Sequence, residues 1–134
     1  MYTISNFTHN DDVKVIEELG PFQVIEYQRD LSVMPHDAQK AYFCDKMNIR
    51  KRQVICDLSK AHITVQSGAM QWMVGNVAAT TGLKGVGDFL SKAVRGKVTG
   101  EDTIKPEYTG DGTLVLEPTY KHIILLDLKE WNGS

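Results

Sequence analysis

The stretch Ser67-Gly-Ala-Met-Gln-Trp-Met-Val-Gly-Asn-Val77 carries the pattern on which the fold prediction depends. Ser67-Gly68 predicts a turn, because glycine readily adopts the left-handed backbone conformation that many turns require. Met70, Trp72 and Val74 then follow at every second position, a spacing that places their side chains on one face of a strand. The stretch therefore predicts a turn that leads into a strand with one inward face.

Short apolar runs with the spacing of β-strands recur along most of the chain. Gly20-Pro21 separates two of these runs and predicts a turn. Asp111-Gly112, within Tyr108-Thr-Gly-Asp-Gly-Thr113, predicts a hairpin turn, because Asp-Gly tolerates the positive φ angles of such turns. Residues 41–47 and 53–58 are expected to form another hairpin, with a polar, basic stretch at its tip. Further strands are predicted at residues 2–7, 13–19, 22–25, 62–66, 70–74, 114–116 and 122–128.

One segment has the period of a helix instead. Between residues 83 and 95, apolar side chains recur at the i, i+3, i+4, i+7 spacing of one helix face, with charged side chains opposite. Such a short helix is marginal alone, so we expect it to dock on another surface. Its predicted partner surface comprises Phe89, Leu90, Lys92 and Arg95. The patterns together predict a mainly β, barrel-like sandwich with one short inserted amphipathic helix at about 83–95.

The composition indicates one globular domain. The 134 residues are 42% apolar and 24% charged, and a chain of this length buries a core without disulfides or metal. Lys and Arg number 15 against 17 Asp and Glu. This balance disfavours nucleic acid as a partner, since domains that grip phosphate backbones carry a basic excess. No apolar run approaches the roughly 18 residues that a transmembrane segment needs.

The N-terminus and the cysteines indicate the compartment. Residues 1–12 have neither a basic nor an apolar leader region, and they lack the arginine-rich character of a mitochondrial transit peptide. Cys44 and Cys56 are expected to be small buried hydrophobes in a reducing compartment rather than a disulfide pair. We therefore expect a cytoplasmic protein.

No pattern in the chain predicts catalysis. A cupin-type metal site needs a His-x-His pair on one strand, but His62 is followed by Ile-Thr and His122 by Ile-Ile. The chain also lacks the Gly-x-Ser-x-Gly sequence of hydrolases. The glycine-rich run at residues 82–87 lacks the Gly-Lys-Ser/Thr ending of a phosphate loop. The sequence therefore predicts no catalytic residue, no metal ligand and no cofactor, and we expect that the protein is not an enzyme.

Between residues 61 and 128 the chain carries a series of short motifs in a fixed order. These are Ser67-Gly-Ala-Met70, Met73-Val-Gly-Asn-Val77, Gly100-Glu101, Tyr108-Thr-Gly-Asp-Gly112 and Leu126-Asp-Leu128. In this order the segment resembles the mitochondrial-biogenesis family of altered-inheritance-of-mitochondria proteins, as a bacterial-type member. The resemblance implies the double-stranded β-helix shared with the tryptophan RNA-binding attenuation protein. It also implies a scaffold or assembly role rather than chemistry.

Three hypotheses about function follow. The first is a non-catalytic, self-associating scaffold or partner-binding domain, with a homo-oligomer and an unknown protein partner. The second is a small-ligand or RNA-binding module, for which Arg50, Lys51 and Arg52 form the candidate anionic-ligand patch. The third, less favoured, is a cupin-like metal enzyme.

Overall fold

A computed structural model describes residues 4–29, 32–80 and 105–131 of the protein. Within these residues the protein is mainly β, with antiparallel strands and one short α-helix. The chain divides into two compact units. The helix-bearing unit comprises Ile4–Ile55 and Glu117–Ser134, and the ladder unit comprises Met1–Thr3 and Cys56–Leu116. The single domain expected from chain length stays a prediction.

The helix-bearing unit begins with a β-hairpin. Strand β1 (Val13–Leu19) pairs antiparallel with strand β2 (Phe22–Tyr27), and Leu19 lies opposite Phe22 across the predicted Gly20-Pro21 turn. Gly20 has a φ of 56°, which glycine adopts without steric cost, and the fixed negative φ of proline suits the position after it. The turn and both strands are therefore confirmed.

A helix follows where a strand was predicted. Residues 41–46 belong to α1 (Ala38–Lys46), which continues a 3-10 turn at Pro35–Asp37, and Met47 follows its last residue. Pro35 suits the first turn of a helix, because the N–H that it lacks has no partner there. None of the side chains of α1 is buried. The strand prediction for 41–47 was wrong, because these residues lie in and at the end of an exposed helix, where Tyr42 and Phe43 are 58% and 57% exposed.

Strand β3 (Arg52–Asp57) lies next to β2 and completes the sheet of this unit. Tyr27 donates its hydroxyl hydrogen to Oε1 of the buried Gln53 over 2.6 Å, which satisfies a polar group that would be costly to bury alone. Arg52 also exchanges two backbone hydrogen bonds with Thr119, of 2.8 and 2.9 Å. The C-terminal segment is thereby fixed at Thr119. From Cys56 onward, β3 belongs to the ladder unit.

In the ladder unit, strand β6 (Glu107–Leu116) pairs with both β4 (Ile63–Thr64) and β5 (Met70–Thr80). The turn before β5 is confirmed, since Gly68 has a φ of 81° and the N–H of Ala69 donates to the carbonyl of Gln66 over 3.1 Å. The predicted inward side chains of β5 are half-buried, and the residues between them are exposed. Leu114 and Val115 of β6 are fully buried and form the core with Ile63, Leu58, Cys56 and Tyr108.

The predicted hairpin turn at residues 108–113 does not exist, because β6 runs straight through it. Its glycines serve close approach of two strands instead. A Cβ on Gly110 would lie 2.1 Å from the carbonyl oxygen of Asn76, and one on Gly112 would lie 2.4 Å from Cγ2 of Val77. Gly75 faces Gly112 directly in the register. The glycines are visible in the sequence, but only the pairing of β6 with β5 shows that they allow the two backbones to approach.

Three other predicted elements remain. Residues 122–128 form no strand, and neither do residues 4–7, the described part of the strand predicted at 2–7, because no neighbouring strand pairs with them in the described part of the chain. The amphipathic helix at about 83–95 lies outside the described residues. So does its predicted partner surface of Phe89, Leu90, Lys92 and Arg95.

Candidate functional site

In the basic patch predicted at Arg50, Lys51 and Arg52, the two arginines lie in different surroundings. Arg52 forms an ion pair with Glu26 of β2, at 3.0 Å between Nη2 and Oε2, and its side chain is 14% exposed. Arg50 pairs with Asp45 of α1 at 2.9 Å and is 19% exposed. The patch is therefore not the solvated hairpin tip that was expected. Its role in binding an anion stays a prediction.

The end of α1 positions Arg50. Asn48 adopts a left-handed conformation with a φ of 57°, which asparagine tolerates better than most residues. The N–H of Asn48 donates to the carbonyl of Asp45, and that of Ile49 donates to Cys44 over 2.8 Å. This pair of bonds is a Schellman motif, which ends the helix and reverses the chain. Ile49, Arg50 and Lys51 are thereby turned back beside the helix.

The reversal creates a groove in the helix-bearing unit. Two cavities of about 340 and 500 Å³ share six lining residues and so adjoin each other. We call both together the α1 groove; the shared lining residues are Val33, Ala41, Cys44, Ile49, Lys51 and Tyr120. The smaller cavity also has Arg29, Asp45 and Arg50 in its wall. Sequence reasoning missed this groove because it exists only if residues 38–46 are helical.

The two cysteines differ in accessibility. Both are free. Cys44 is half-buried and lines the α1 groove. Cys56 is fully buried in the ladder unit, and the loss of solvation of the charged form raises the pKa of its thiol from 9.0 to about 12. Cys44 is therefore the thiol that a reagent in water reaches first.

Arg29 lines the groove as a side chain already bound by acidic neighbours. Its guanidinium forms ion pairs with Asp12 and Asp11. The hydrogen bond that Arg29 donates to Asp12, and then the charges of both carboxylates, raise the pKa of Arg29. Arg29 therefore forms part of the groove wall but adds little net positive charge to it.

A second surface of this unit is apolar. Ile124, Leu126, Leu128 and Trp131 are 73%, 60%, 71% and 56% exposed, and we call these four residues the C-terminal stripe. Ile123 and Leu125, which precede Ile124 and Leu126 in turn, are half-buried. The alternation gives an extended segment with one face toward the protein and one toward water. Large apolar side chains grouped in this way mark interaction surfaces more often than isolated ones do.

Within the part of the chain that the structure describes, the histidines and acidic residues form no recognisable chemical centre. Nδ1 of His62 lies 3.3 Å from Oε1 of Glu107, and both side chains are largely exposed. No group of three or more His, Cys, Asp or Glu side chains in the described ranges is arranged to hold a metal ion. Among the same residues, no helix has the length and apolar character required to cross a membrane.

Comparison with known families identifies the chain. The family model described as mitochondrial biogenesis AIM24 matches residues 47–133. The match covers more than half of the chain, and the protein belongs to the mitochondrial biogenesis AIM24 family. The family predicted from the motifs between residues 61 and 128 is thereby confirmed. No curated protein and no solved structure matches the chain.

Proposed function

We propose that the protein is a non-catalytic, self-associating β domain that acts as a scaffold or partner-binding module. The observation that carries this proposal is the exposure of the C-terminal stripe. Four large apolar side chains within eight residues stay between 56% and 73% exposed. An apolar surface of this kind is stabilised when a second protein surface covers it. A second copy of the chain is the occupant that we propose.

The backbone of the same segment supports pairing between copies. In the described part of the chain, residues 122–126 form no backbone–backbone hydrogen bond. An extended segment with open N–H and C=O groups is a template for strand addition. Two copies related by a two-fold axis place identical segments side by side, so each stripe covers the other. The pairing satisfies backbone groups and apolar side chains together.

The magnitudes predict a reversible complex. Burying the exposed part of each stripe residue contributes about 1 to 2 kcal/mol. Eight side chains from two copies therefore contribute about 8 to 16 kcal/mol, and association itself costs about 4 to 15 kcal/mol. The two ranges overlap, so the net gain is a small difference, which is characteristic of a reversible complex. We expect the oligomer to assemble and dissociate across the micromolar range.

Light scattering coupled to size-exclusion chromatography tests the proposal. The wild-type chain is expected to increase in mass with concentration, and the double variant Leu126→Glu, Leu128→Glu is expected to stay monomeric. Because both residues are exposed in the single chain, the variant is expected to keep its circular dichroism spectrum and unfolding midpoint.

The matched control is Met47→Glu. Met47 is 72% exposed but lies at the end of α1, outside the stripe. Its charge is expected to leave the mass unchanged. A wild-type chain that is monomeric throughout the micromolar range contradicts self-association. Loss of association in Met47→Glu alone would place the interface at α1 and remove the stripe from the proposal.

We propose the finer features of the family resemblance as well. A double-stranded β-helix is supported by family membership and by the antiparallel pairing of β6 with β4 and β5. An experimental structure without two facing antiparallel sheets would overturn it. A cytoplasmic location is supported by the two free cysteines, since reducing compartments keep thiols unpaired, and the bacterial type is supported by the motif resemblance alone. Recovery of the native protein in a membrane or secreted fraction contradicts that location.

A further inference from the structure

We infer that the α1 groove is a binding site for a small amphipathic organic anion, meaning an apolar body that carries one carboxylate or sulfonate group. The site is separate from the C-terminal stripe in its residues and in its chemistry. It is formed by α1, by the chain reversal after it, and by Val33 and Tyr120. The inference therefore does not depend on self-association.

The carboxylate or sulfonate group of the ligand is assigned to Arg50. Its Nη1 donates to the carbonyl of Gln28 and its Nη2 to Asp45, each over 2.9 Å. These contacts hold the guanidinium in place and use two of its five N–H donors. A guanidinium that is already ordered loses little entropy when it binds an oxyanion, and it offers two parallel donors to it.

The charges around the groove are largely paired. The smaller cavity is lined by three cationic side chains, Arg29, Arg50 and Lys51, and by one carboxylate, that of Asp45. Asp11 and Asp12 offset the charge of Arg29 from outside the lining, and Asp45 offsets that of Arg50. An anion is therefore favoured by the ordered N–H donors of Arg50 and not by an excess of positive charge.

The apolar body is assigned to the wall that both cavities share. Val33, Ala41 and Ile49 present aliphatic side chains there, and Tyr120 presents an aromatic ring. Cavities of roughly 300–1,000 Å³ with mostly apolar walls and a few polar groups are typical of small-ligand sites, and the two cavities here measure about 340 and 500 Å³. A small molecule therefore fits better than an RNA backbone. RNA would also need the cation of Arg52, which Glu26 already binds.

The test uses decanoate as the probe and Cys44 as the reporter. A maleimide modifies Cys44 in the groove, whereas burial protects Cys56 in the folded chain. Decanoate below its micelle concentration is expected to slow modification of Cys44 several-fold, with matching heat in calorimetry. Decylammonium, which has the same alkyl chain and the opposite charge, is expected to give no protection. Equal protection by both probes, or by neither, overturns the anion site.

Two variants with opposite expected effects separate binding from structure. Arg50→Gln is expected to weaken decanoate binding about tenfold or more, the effect of one charge-assisted hydrogen bond. Asp45→Asn removes the competing carboxylate and is expected to tighten binding. Both variants break the same ion pair, so changes in affinity of the same sign would show a structural role only.

Two further arms complete the experiment. Leu126→Glu in the C-terminal stripe is expected to leave decanoate binding unchanged, which separates this site from self-association. Vesicles of an anionic phospholipid are expected to leave Cys44 modification unchanged, because the anion is proposed to bind as a free small molecule. Protection by vesicles without protection by decanoate would reassign the groove to a membrane surface and overturn the proposal.

Discussion

Strand β6 and the segment at residues 122–128 both carry a run of aliphatic residues, but their structures differ. Both contain aliphatic residues of high β-propensity. In β6, Leu114 and Val115 are fully buried, whereas Leu126 and Leu128 remain 60% and 71% exposed. The difference lies in the neighbours, since β6 pairs with β5 and β4. An apolar pattern makes a segment suitable for a strand, but only a partner edge makes it one.

The β5–β6 pair depends on residues that have no side chain. Gly75 and Gly112 lie opposite each other, and Gly110 lies opposite Val77. A Cβ at any of these three glycines would approach the facing strand to within 2.9 Å or less. The two backbones therefore pair over nearly the whole of both strands. If pairing decides the difference, substitutions in this ladder cost more stability than substitutions in the C-terminal stripe.

The largest effect is expected for Gly110→Ala. The new Cβ would lie 2.1 Å from a backbone oxygen, and the φ of 119° is itself unfavourable for alanine. We expect a loss of about 3 kcal/mol or more in the free energy of unfolding. Urea unfolding measures it through Trp72 fluorescence, in a Trp131→Phe background that leaves one reporter in the ladder unit.

The control for that variant is Gly68→Ala. Gly68 also has a positive φ, of 81°, but nothing lies within 4 Å of its added Cβ. Only the backbone conformation is penalised there, at about 1–2 kcal/mol. Equal losses at Gly68 and Gly110 would show that strand approach does not decide the cost.

A paired truncation compares the two regions directly. Leu114→Ala removes a side chain with no exposed surface and is expected to cost about 2–5 kcal/mol. Leu126→Ala removes one that is 60% exposed and is expected to change stability by less than about 0.5 kcal/mol in the dissociated chain. Urea unfolding below the association range measures both. A large loss at Leu126 would mean that residues 122–128 are packed like a strand.

The smallest effect is a pH dependence that belongs to the ladder unit. Folding raises the pKa of Cys56 to about 12 from 9.0, so above pH 9 the unfolded chain loses this proton while the folded chain keeps it. Stability is therefore complete below pH 9 and falls as pH rises toward 12. Urea unfolding of the wild type is expected to show this decline more strongly than Cys56→Ala. Parallel pH curves for the two proteins would contradict it.

Local chemistry made several elements predictable. Gly20-Pro21 and Ser67-Gly68 each combine turn residues with apolar runs on both sides, and both turns lie where the sequence places them. The alternating side chains of β5 also face as expected. These features depend on residues close together in the chain, so the sequence contains the information that decides them.

The helix α1 was missed although the chain contains signals for it. Pro35 and Asp37 mark its start, and Asn48 marks its end. Residues 41–47 were instead predicted to be one strand of a hairpin. Tyr42 and Phe43 within them are of residue types that favour strands when half-buried. In the structure these rings are exposed and pack edge to face at 5.6 Å. The β-propensity of these residues assumes that their rings are half-buried. The sequence alone does not decide whether they are.

The sequence by itself determined the mainly β class, the β1–β2 hairpin, the turn before β5 and the family. Those features follow from turn chemistry, from the period of the side chains, and from motifs in a fixed order. Only the tertiary structure decided that Gly110 and Gly112 serve strand approach rather than a turn. The tertiary structure also placed Arg50 and Arg52 in different surroundings. Arg50 pairs with Asp45 of α1, whereas Arg52 pairs with Glu26 of β2. Contacts between segments select among conformations that local preferences leave nearly equal in energy.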